Sequence, residues 1–355
     1  MRPLRLLLLG FGNVGRRLAE ILADRSAWPG LADLDVSVVG ITTGTRGALV
    51  NPSGIDLASA LAEVRSRGRF TDHPDFSRIT SPEAARTLDY DVLVELTPLD
   101  LPGRGRDAIA HVRTALERGR HAVSANKGPL AWGYRDLRDL AQAQGCAFLH
   151  EAAVMDGAPV FNLARYCLRG NVIQRIDGIL NSTTNLVLEM MGAGGSLPDA
   201  VARAQEIGVA EADPRNDLDG WDAAVKIAAL ANVLLGASLT PEEVERESLM
   251  EVRPDQLRAA RERGCRIKMV CEVFREGDRI AGRVRARELP LDDPFALVAG
   301  TGSILRLTTD LLGKIVLTEE SPDLTTTAYG VLSDLLSLTG GGPSGAQAWS
   351  LCYTE

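Results

Sequence analysis

The run Gly10-Phe11-Gly12-Asn13-Val14-Gly15 limits what this chain can fold into more than any other feature. It follows an apolar stretch, Leu4-Arg5-Leu6-Leu7-Leu8-Leu9, and opens a segment in which Val14, Leu18, Ile21 and Leu22 recur on one helical face. Gly-x-Gly-x-x-Gly between a strand and a helix is the context in which this motif holds a dinucleotide. The first glycine permits a tight turn, the second lets backbone approach a pyrophosphate, and the third packs helix against strand. The helix N-terminus adds free N–H groups and a partial positive charge. A glycine-rich turn without a ligand is the competing reading. Gly10, Phe11, Gly12, Asn13, Val14 and Gly15 are therefore expected to bind a cofactor.

The chain has 355 residues, enough for two domains. Its net charge of −8 disfavours a nucleic-acid partner. No stretch reaches the roughly 18 consecutive apolar residues of a membrane span. The apolar start is too short for a signal peptide and runs straight into the glycine turn. Five cysteines, at 146, 167, 265, 271 and 352, are odd in number and form no Cys-x-x-Cys. Reduced thiols in the cytoplasm are expected. The histidines at 73, 111, 121 and 150 are scattered, so no histidine metal site is expected and none is singled out as catalytic.

Further along, 36–41, 91–96, 121–124 and 147–149 read as strands. Segments 106–118 and 134–144 read as helices, and Ser81-Pro82-Glu83 reads as a helix start with Ser81 as cap. Strand and helix alternate, which implies a parallel, doubly wound sheet. After residue 151 the pattern changes. A strand at 172–180 precedes helices near 183–191 and 198–207, a polar loop at 209–219 and a long helix from Trp221 to Leu235. Thr240 and Glu243 occupy capping-box positions. Segments 267–274, 279–288, 303–308 and 314–318 read as hairpin strands turning at Gly277-Asp278, and a last helix covers 325–338.

Two features bear on chemistry. The acid expected on the ribose 2′-hydroxyl is missing, because Asp33 and Asp35 precede the second strand. That strand instead runs into Thr42-Thr43-Gly44-Thr45-Arg46. Hydroxyls and an arginine suit a 2′-phosphate, so Thr43 and Arg46 point to NADP, with NAD the alternative and a solvated loop arginine the bland reading. The second feature is the helix at 221–235, in which Asp222 and Lys226 are the only charged residues. They lie four apart on one face. A surface pair would be worth under about 1 kcal/mol, but a surface helix would carry more polar residues around it. The pair is expected to be shielded and to face a cleft, with Glu211, Asp213, Asp217 and Asp219 immediately upstream. A second lysine, Lys127, leaves the carboxyl end of the fourth strand, and Thr97-Pro98 leaves the third. Open α/β sheets place ligands there, although Lys127 also reads as an ordinary loop lysine.

These residues resemble the homoserine dehydrogenase family. The match is strongest over 204–226, Ala-Gln-Glu-Ile-Gly-Val-Ala-Glu-Ala-Asp-Pro-Arg-Asn-Asp-Leu-Asp-Gly-Trp-Asp-Ala-Ala-Val-Lys. It extends to Gly10–Gly15, Glu95-Leu96-Thr97-Pro98, Ala125-Asn126-Lys127, His150-Glu151-Ala152, 178–185 and 328–334. The resemblance implies reversible reduction of L-aspartate 4-semialdehyde to L-homoserine, toward threonine and methionine. It implies Lys226 as general acid and base, with Asp222 and Glu211 binding substrate and positioning it. Lys127 is implied near the nicotinamide, and Thr183 and Asp217 at the amino-acid part of the substrate. It further implies a monovalent cation, Na+ or K+, at Glu151, Val154, Asp156 and Ala158, and a homodimer or dimer of dimers. Neither a fused aspartate kinase nor a C-terminal regulatory domain is expected. Two stretches depart from the family pattern: Ala152–Gly157, where many members have a glycine-rich turn, and Ser321-Pro322-Asp323-Leu324, where relatives often carry glycines near the cofactor.

The expected fold is α/β, with a Rossmann-type, doubly wound parallel sheet domain over 1–151. An α+β substrate-binding and dimerisation domain with an open sheet is expected over 152–318. A helix over 319–339 should return to the nucleotide domain, followed by a mobile tail over 340–355. Two rivals remain: a related oxidoreductase acting on another small amino or hydroxy acid, and a non-catalytic dinucleotide sensor.

Overall fold

A computed structural model describes residues 2–32, 34–210, 213–277 and 279–339. The chain divides into two compact units. One comprises Met1–Pro129, Gly133–Asn162 and Asp323–Glu355, and the other Leu130–Trp132 and Leu163–Pro322. The tail expected over 340–355 lies outside the described residues, as do Asp33, Glu211 and Asp278.

The first unit is built on a seven-stranded sheet. Its strands are β1 (Leu4–Leu9), β2 (Val36–Thr42), β3 (Ala48–Val50), β4 (Phe76–Ser77), β5 (Val92–Glu95), β6 (His121–Ser124) and β7 (Phe148–Leu149), in the order β4-β3-β2-β1-β5-β6-β7. Alternate residues of β1 feed two cores, which is why the strand reads as an unbroken apolar run. Leu6 and Leu8 pack with Leu18, Leu61, Val331 and Leu335. Leu7 and Leu9 pack on the other face with Ala84, Ala85, Tyr90 and Ala115. The helices Asn13–Ala23, Leu57–Arg67 and Leu324–Leu338 thus cover one face, and Ser81–Thr87 and Arg106–Glu117 the other.

The sheet is not wholly parallel. β1, β2, β5, β6 and β7 run parallel, but β3 and β4 are antiparallel additions at one edge. The Thr42–Arg46 stretch is therefore a hairpin turn into β3. Both edge strands are too short for periodicity to reveal. The helix at 81–87 is capped by Thr80, not Ser81: Thr80 Oγ1 accepts from Glu83 N, and the Glu83 carboxylate accepts from Thr80 N. Ser81 occupies the first helical position.

The second unit holds a six-stranded sheet of β8 (Ile173–Ile179), β9 (Glu245–Arg246), β10 (Cys265–Glu276), β11 (Arg279–Pro290), β12 (Ser303–Thr309) and β13 (Lys314–Glu319). Their order is β13-β12-β8-β10-β11-β9, antiparallel except for β9. The helix Trp221–Leu234 is buried almost all round, with eleven of its residues enclosed. The expected 209–219 loop contains a short helix, Arg215–Leu218, and a further helix, not expected from sequence, spans Pro254–Glu262. The Thr240–Glu243 capping box forms. On one sheet face Glu272 and Asp177 are almost fully enclosed beneath Arg175, Arg285, Arg287 and Arg306.

Among the described residues Cys146, Cys167, Cys265 and Cys271 are free, and no cluster of three His, Cys, Asp or Glu side chains could hold a metal ion. No described helix is long and apolar enough to cross a membrane.

Candidate active site

β1 lies between β2 and β5, and the chain leaves it for β2 on one side and reaches β5 on the other. The carboxyl end of β1 is therefore the topological switch point where such sheets bind ligands. The glycine turn sits there. Gly10 has φ +105°, and a Cβ on it would lie 2.5 Å from the Leu96 carbonyl oxygen. A Cβ on Gly15 would lie 2.7 Å from the Gly10 carbonyl oxygen, so both glycines are forced by packing. Gly12 differs: a Cβ there meets nothing within 4 Å. Its bareness opens a face of the turn to something from outside, the fit that a pyrophosphate requires. Phe11 turns its side chain into the core beside Phe70, leaving backbone to the turn. Asn13 Oδ1 accepts from Arg16, and Val14 begins the helix with it.

The residues after β2 draw in around this turn. Thr43 Oγ1 accepts from Arg46 N and donates to the Gly47 carbonyl. Arg46 Nη1 donates to the Phe11 carbonyl at 3.1 Å, which places its guanidinium beside the glycine turn. A groove of about 730 Å³ is lined by Thr43, Thr45, Ser81, Thr97, His111 and Asn126, among others. That lies within the usual range of about 300–1,000 Å³ for small-molecule sites.

Thr97 follows β5, and Asn126 and Lys127 follow β6. Glu95, fully buried, accepts from the Thr97 backbone N–H and hydroxyl. Its other oxygen lies 2.8 Å from His111 Nδ1. Asn126 Nδ2 donates to the Thr97 carbonyl at 3.0 Å. Lys127 is half-buried and immediately precedes the short helix Gly128–Trp132. Neither Glu95 nor His111 is among the site residues expected from sequence. The available signal was a carboxylate ending an otherwise apolar strand, which requires a buried partner.

The 151–158 loop belongs to the same unit. Glu151 is 2% exposed, and its two carboxylate oxygens accept from the N–H groups of Phe161 and Asn162 at 2.8 and 2.7 Å. Asp156 has φ +46° and accepts from Thr327 Oγ1 at 2.7 Å. The Ala158 carbonyl accepts from Val160 N, and Val154 is buried beside them. The departing stretch before the last helix also has a local task, since Asp323 caps that helix through Thr325 N and Thr326 N.

The second unit gathers the other residues. Lys226 Nζ lies 3.4 Å from Asp222 Oδ2 and donates to the Leu180 carbonyl at 2.5 Å. Both side chains are about five-sixths enclosed, at 16% and 17% exposed, so the pair is shielded without being sealed. Asn181 joins the acids: its Nδ2 donates to Asp217 Oδ1 at 2.8 Å and to Asp222 Oδ2 at 3.0 Å. Thr183 Oγ1 donates to Asp217 Oδ2 at 2.8 Å. Burial, reinforced by the Asp222 charge, holds the Asp217 carboxyl above its ordinary range, against the opposing hydrogen bonds of Thr183 and Asn181. On β10, burial pushes the Cys271 thiol up to about 12.

Of the four acids upstream of Trp221, only Asp217 joins this cluster among the described residues. Asp213 pairs with Arg215, and Asp219 accepts from Ser248. Glu211 lies outside the described residues. Asn181, central to the arrangement, was not among the expected site residues. Polar side chains that follow an apolar strand and open a helix were its only signal.

A glycine turn at a switch point and a shielded lysine–carboxylate cluster define a two-unit, dinucleotide-dependent oxidoreductase. Comparison with known proteins narrows the class. Residues 10–151 match the family model of the homoserine dehydrogenase NAD-binding domain, and residues 159–336 that of homoserine dehydrogenase. The chain is 35% identical to an NAD(+)-dependent homoserine dehydrogenase of Pseudomonas canavaninivorans, over 95% of this chain and 97% of the relative. It is 34% identical to a homoserine dehydrogenase of Methanocaldococcus jannaschii, over 94% and 98% respectively. Among solved structures it is similar to a hyperthermophilic archaeal homoserine dehydrogenase in complex with NADPH. That likeness has a TM-score of 0.81 and 30% identity, and covers 96% of this chain and 99% of the other. A homoserine dehydrogenase of Thermoplasma acidophilum gives a TM-score of 0.81 at 28% identity, covering 95% and 99%. The chain belongs to the homoserine dehydrogenase family and carries its NAD(P)-binding domain.

Proposed function

We propose that this chain catalyses the reversible NAD(P)-dependent reduction of L-aspartate 4-semialdehyde to L-homoserine, with Lys226 as general acid and base. The observation that carries the reading is the Lys226–Asp222–Asn181–Asp217 cluster, within a stretch that follows the family pattern over 204–226. When bound, the dinucleotide supplies or accepts the hydride. Reduction of an aldehyde builds negative charge on its oxygen, and a positioned ammonium stabilises that charge. Lys226 Nζ then gives a proton to the alkoxide, and in the reverse direction it takes the hydroxyl proton. Asp222 holds the ammonium in place. Asp217, together with Glu211, takes the ammonium group of the amino-acid substrate, and Thr183 fixes the orientation of Asp217.

Lys127 assists at the nicotinamide end, and Thr97 lines the same ground. The cofactor we assign is NADP in preference to NAD. No acid ends β2, and Arg46, beside the turn at Phe11, is suited to a 2′-phosphate. The names of the relatives do not decide this, since one carries NAD(+) and another was solved with NADPH.

A monovalent cation fits the 151–158 loop in kind, because a buried carboxylate and backbone carbonyls are hard oxygen ligands. Glu151 would hold it with the carbonyls of Val154 and Ala158, steadying the loop. Asp156, committed to Thr327, plays the lesser part. Replacing K+ and Na+ by choline should lower the melting temperature of the wild type and leave Glu151→Gln unaffected. We further assign a cytoplasmic location and a homodimer or dimer of dimers, which light scattering reads directly.

The test of the main reading is oxidation of NADPH and NADH in parallel, with aspartate 4-semialdehyde as substrate. Turnover faster with NADPH is expected. No turnover with either cofactor would overturn the proposal. Binding without turnover would point to a sensor, and turnover with a different amino or hydroxy acid alone to a related oxidoreductase.

A further inference from the structure

We infer that a cavity in the second unit, beside the Ser182–Gly192 helix and the Pro294–Leu297 turn, is a binding site for a small oxyanion, either a carboxylate or a phosphate. The cavity has a volume of about 230 Å³, and its lining includes Lys268, Arg261, Arg266 and Glu189. That lies below the usual range of about 300–1,000 Å³ for drug-sized ligands, so the occupant is small.

Lys268, on β10, is 4% exposed. Its Nζ donates to Asn185 Oδ1 at 2.7 Å and to the Val298 carbonyl at 2.6 Å. Both acceptors are neutral, and an ammonium has three hydrogens to place. Among the described residues Lys268 forms no ion pair. Glu189 favours its charge without touching it, and the Glu189 carboxylate accepts instead from Gly300 N at 2.6 Å. Burial accordingly pulls the Lys268 ammonium below the usual lysine range.

The two arginines are in the same condition. Arg261 and Arg266 donate to the carbonyls of Gly192 and Cys265, and neither pairs with an acid among the described residues. The contrast with nearby arginines is informative. Arg263 pairs with Glu288, Arg283 with Glu245, and Arg285 and Arg287 with Glu272. In a chain of net charge −8, acids are available wherever the fold calls for them. Three cations around one small cavity, with a single acid already engaged, leave net positive charge for an anion to neutralise. An oxyanion would accept charge-assisted hydrogen bonds from an ammonium and two guanidinium groups, the strongest kind available to side chains.

The test is calorimetric titration of the full chain with inorganic phosphate and, separately, with succinate, against sodium chloride at matched ionic strength. This readout needs no turnover, so it stands or falls independently of the assigned substrate. Saturable binding of at least one oxyanion is expected, weakened roughly tenfold or more in Arg266→Ala and in Arg261→Ala. Both side chains are exposed, so these variants should melt as the wild type does. Lys268→Met should abolish binding, and the arginine variants keep the test decisive if that protein does not fold. Binding of phosphate alone, of succinate alone or of both, weakened in the arginine variants, would each support the site and name its chemistry. Heats indistinguishable from chloride, or affinities unchanged in both arginine variants, would overturn it.

Discussion

Among the described residues, Lys226 Nζ meets the Asp222 carboxylate and the Leu180 carbonyl, which fix the ammonium in place. If it is the proton donor, Lys226→Ala should lower kcat by about two to four orders of magnitude. Dinucleotide affinity, read by fluorescence titration, should be unchanged, because the glycine turn is built and packed within the other unit. An equal loss of both would remove Lys226 from the chemistry. Asp217 makes a different prediction. Its carboxyl is held above the ordinary range by burial first and by Asp222 second. The native state therefore keeps a proton that the unfolded chain has already lost, and stability falls as pH rises through that window. The ionised group is a stability cost borne for the site. Asp217→Asn should thus melt above the wild type near about pH 7, with the advantage shrinking toward about pH 4. Its KM for the semialdehyde should rise. A pH-independent advantage in the melts would contradict the assignment.

At the scale of elements, the glycine turn separates packing from binding. Gly15→Ala places a Cβ 2.7 Å from the Gly10 carbonyl oxygen and should lower the melting temperature by several degrees. Gly12→Ala meets nothing and should melt as the wild type does, yet bind dinucleotide roughly tenfold or more weakly. If the two variants behave alike, the turn is not the pyrophosphate site. The β2–β3 hairpin makes a companion prediction, because it carries Arg46 to the turn. Arg46→Ala should raise KM for NADPH more than KM for NADH, and an unchanged ratio would refute the 2′-phosphate assignment.

At the scale of the whole molecule, a net charge of −8 conceals how the charges are distributed. Five basic side chains gather on one face of the second sheet, and Glu272 sits fully buried among three of them. Removing one partner of such a group leaves charge without compensation. The arginines are a third or more exposed, so solvent relieves part of the loss. Glu272→Gln should cost about 3 kcal/mol by chemical denaturation, and a neutral result would mean that water already satisfies the arginines.

Local pattern alone determined the elements whose signal is long and uniform. The apolar strand before Gly10, the glycine turn and the helix at 221–234 are readable because every residue in them says the same thing. The Asp222–Lys226 pair followed from helical spacing alone. What remained hidden depends on partners distant in the chain. Short edge strands have no period, which is why the sheet read as wholly parallel. Four acids preceding one helix look alike in sequence, and only the placement of Asn181 and Thr183 selects Asp217 among those described. Glu95 and His111, sixteen residues apart, become a pair only when a strand end and a helix face meet. The final helix joins the first unit by packing against residues more than 300 positions earlier, as Arg17 and Thr325 illustrate. Periodicity and turn chemistry are written within a window of the chain, whereas the choice of a partner is made by the packing that brings windows together.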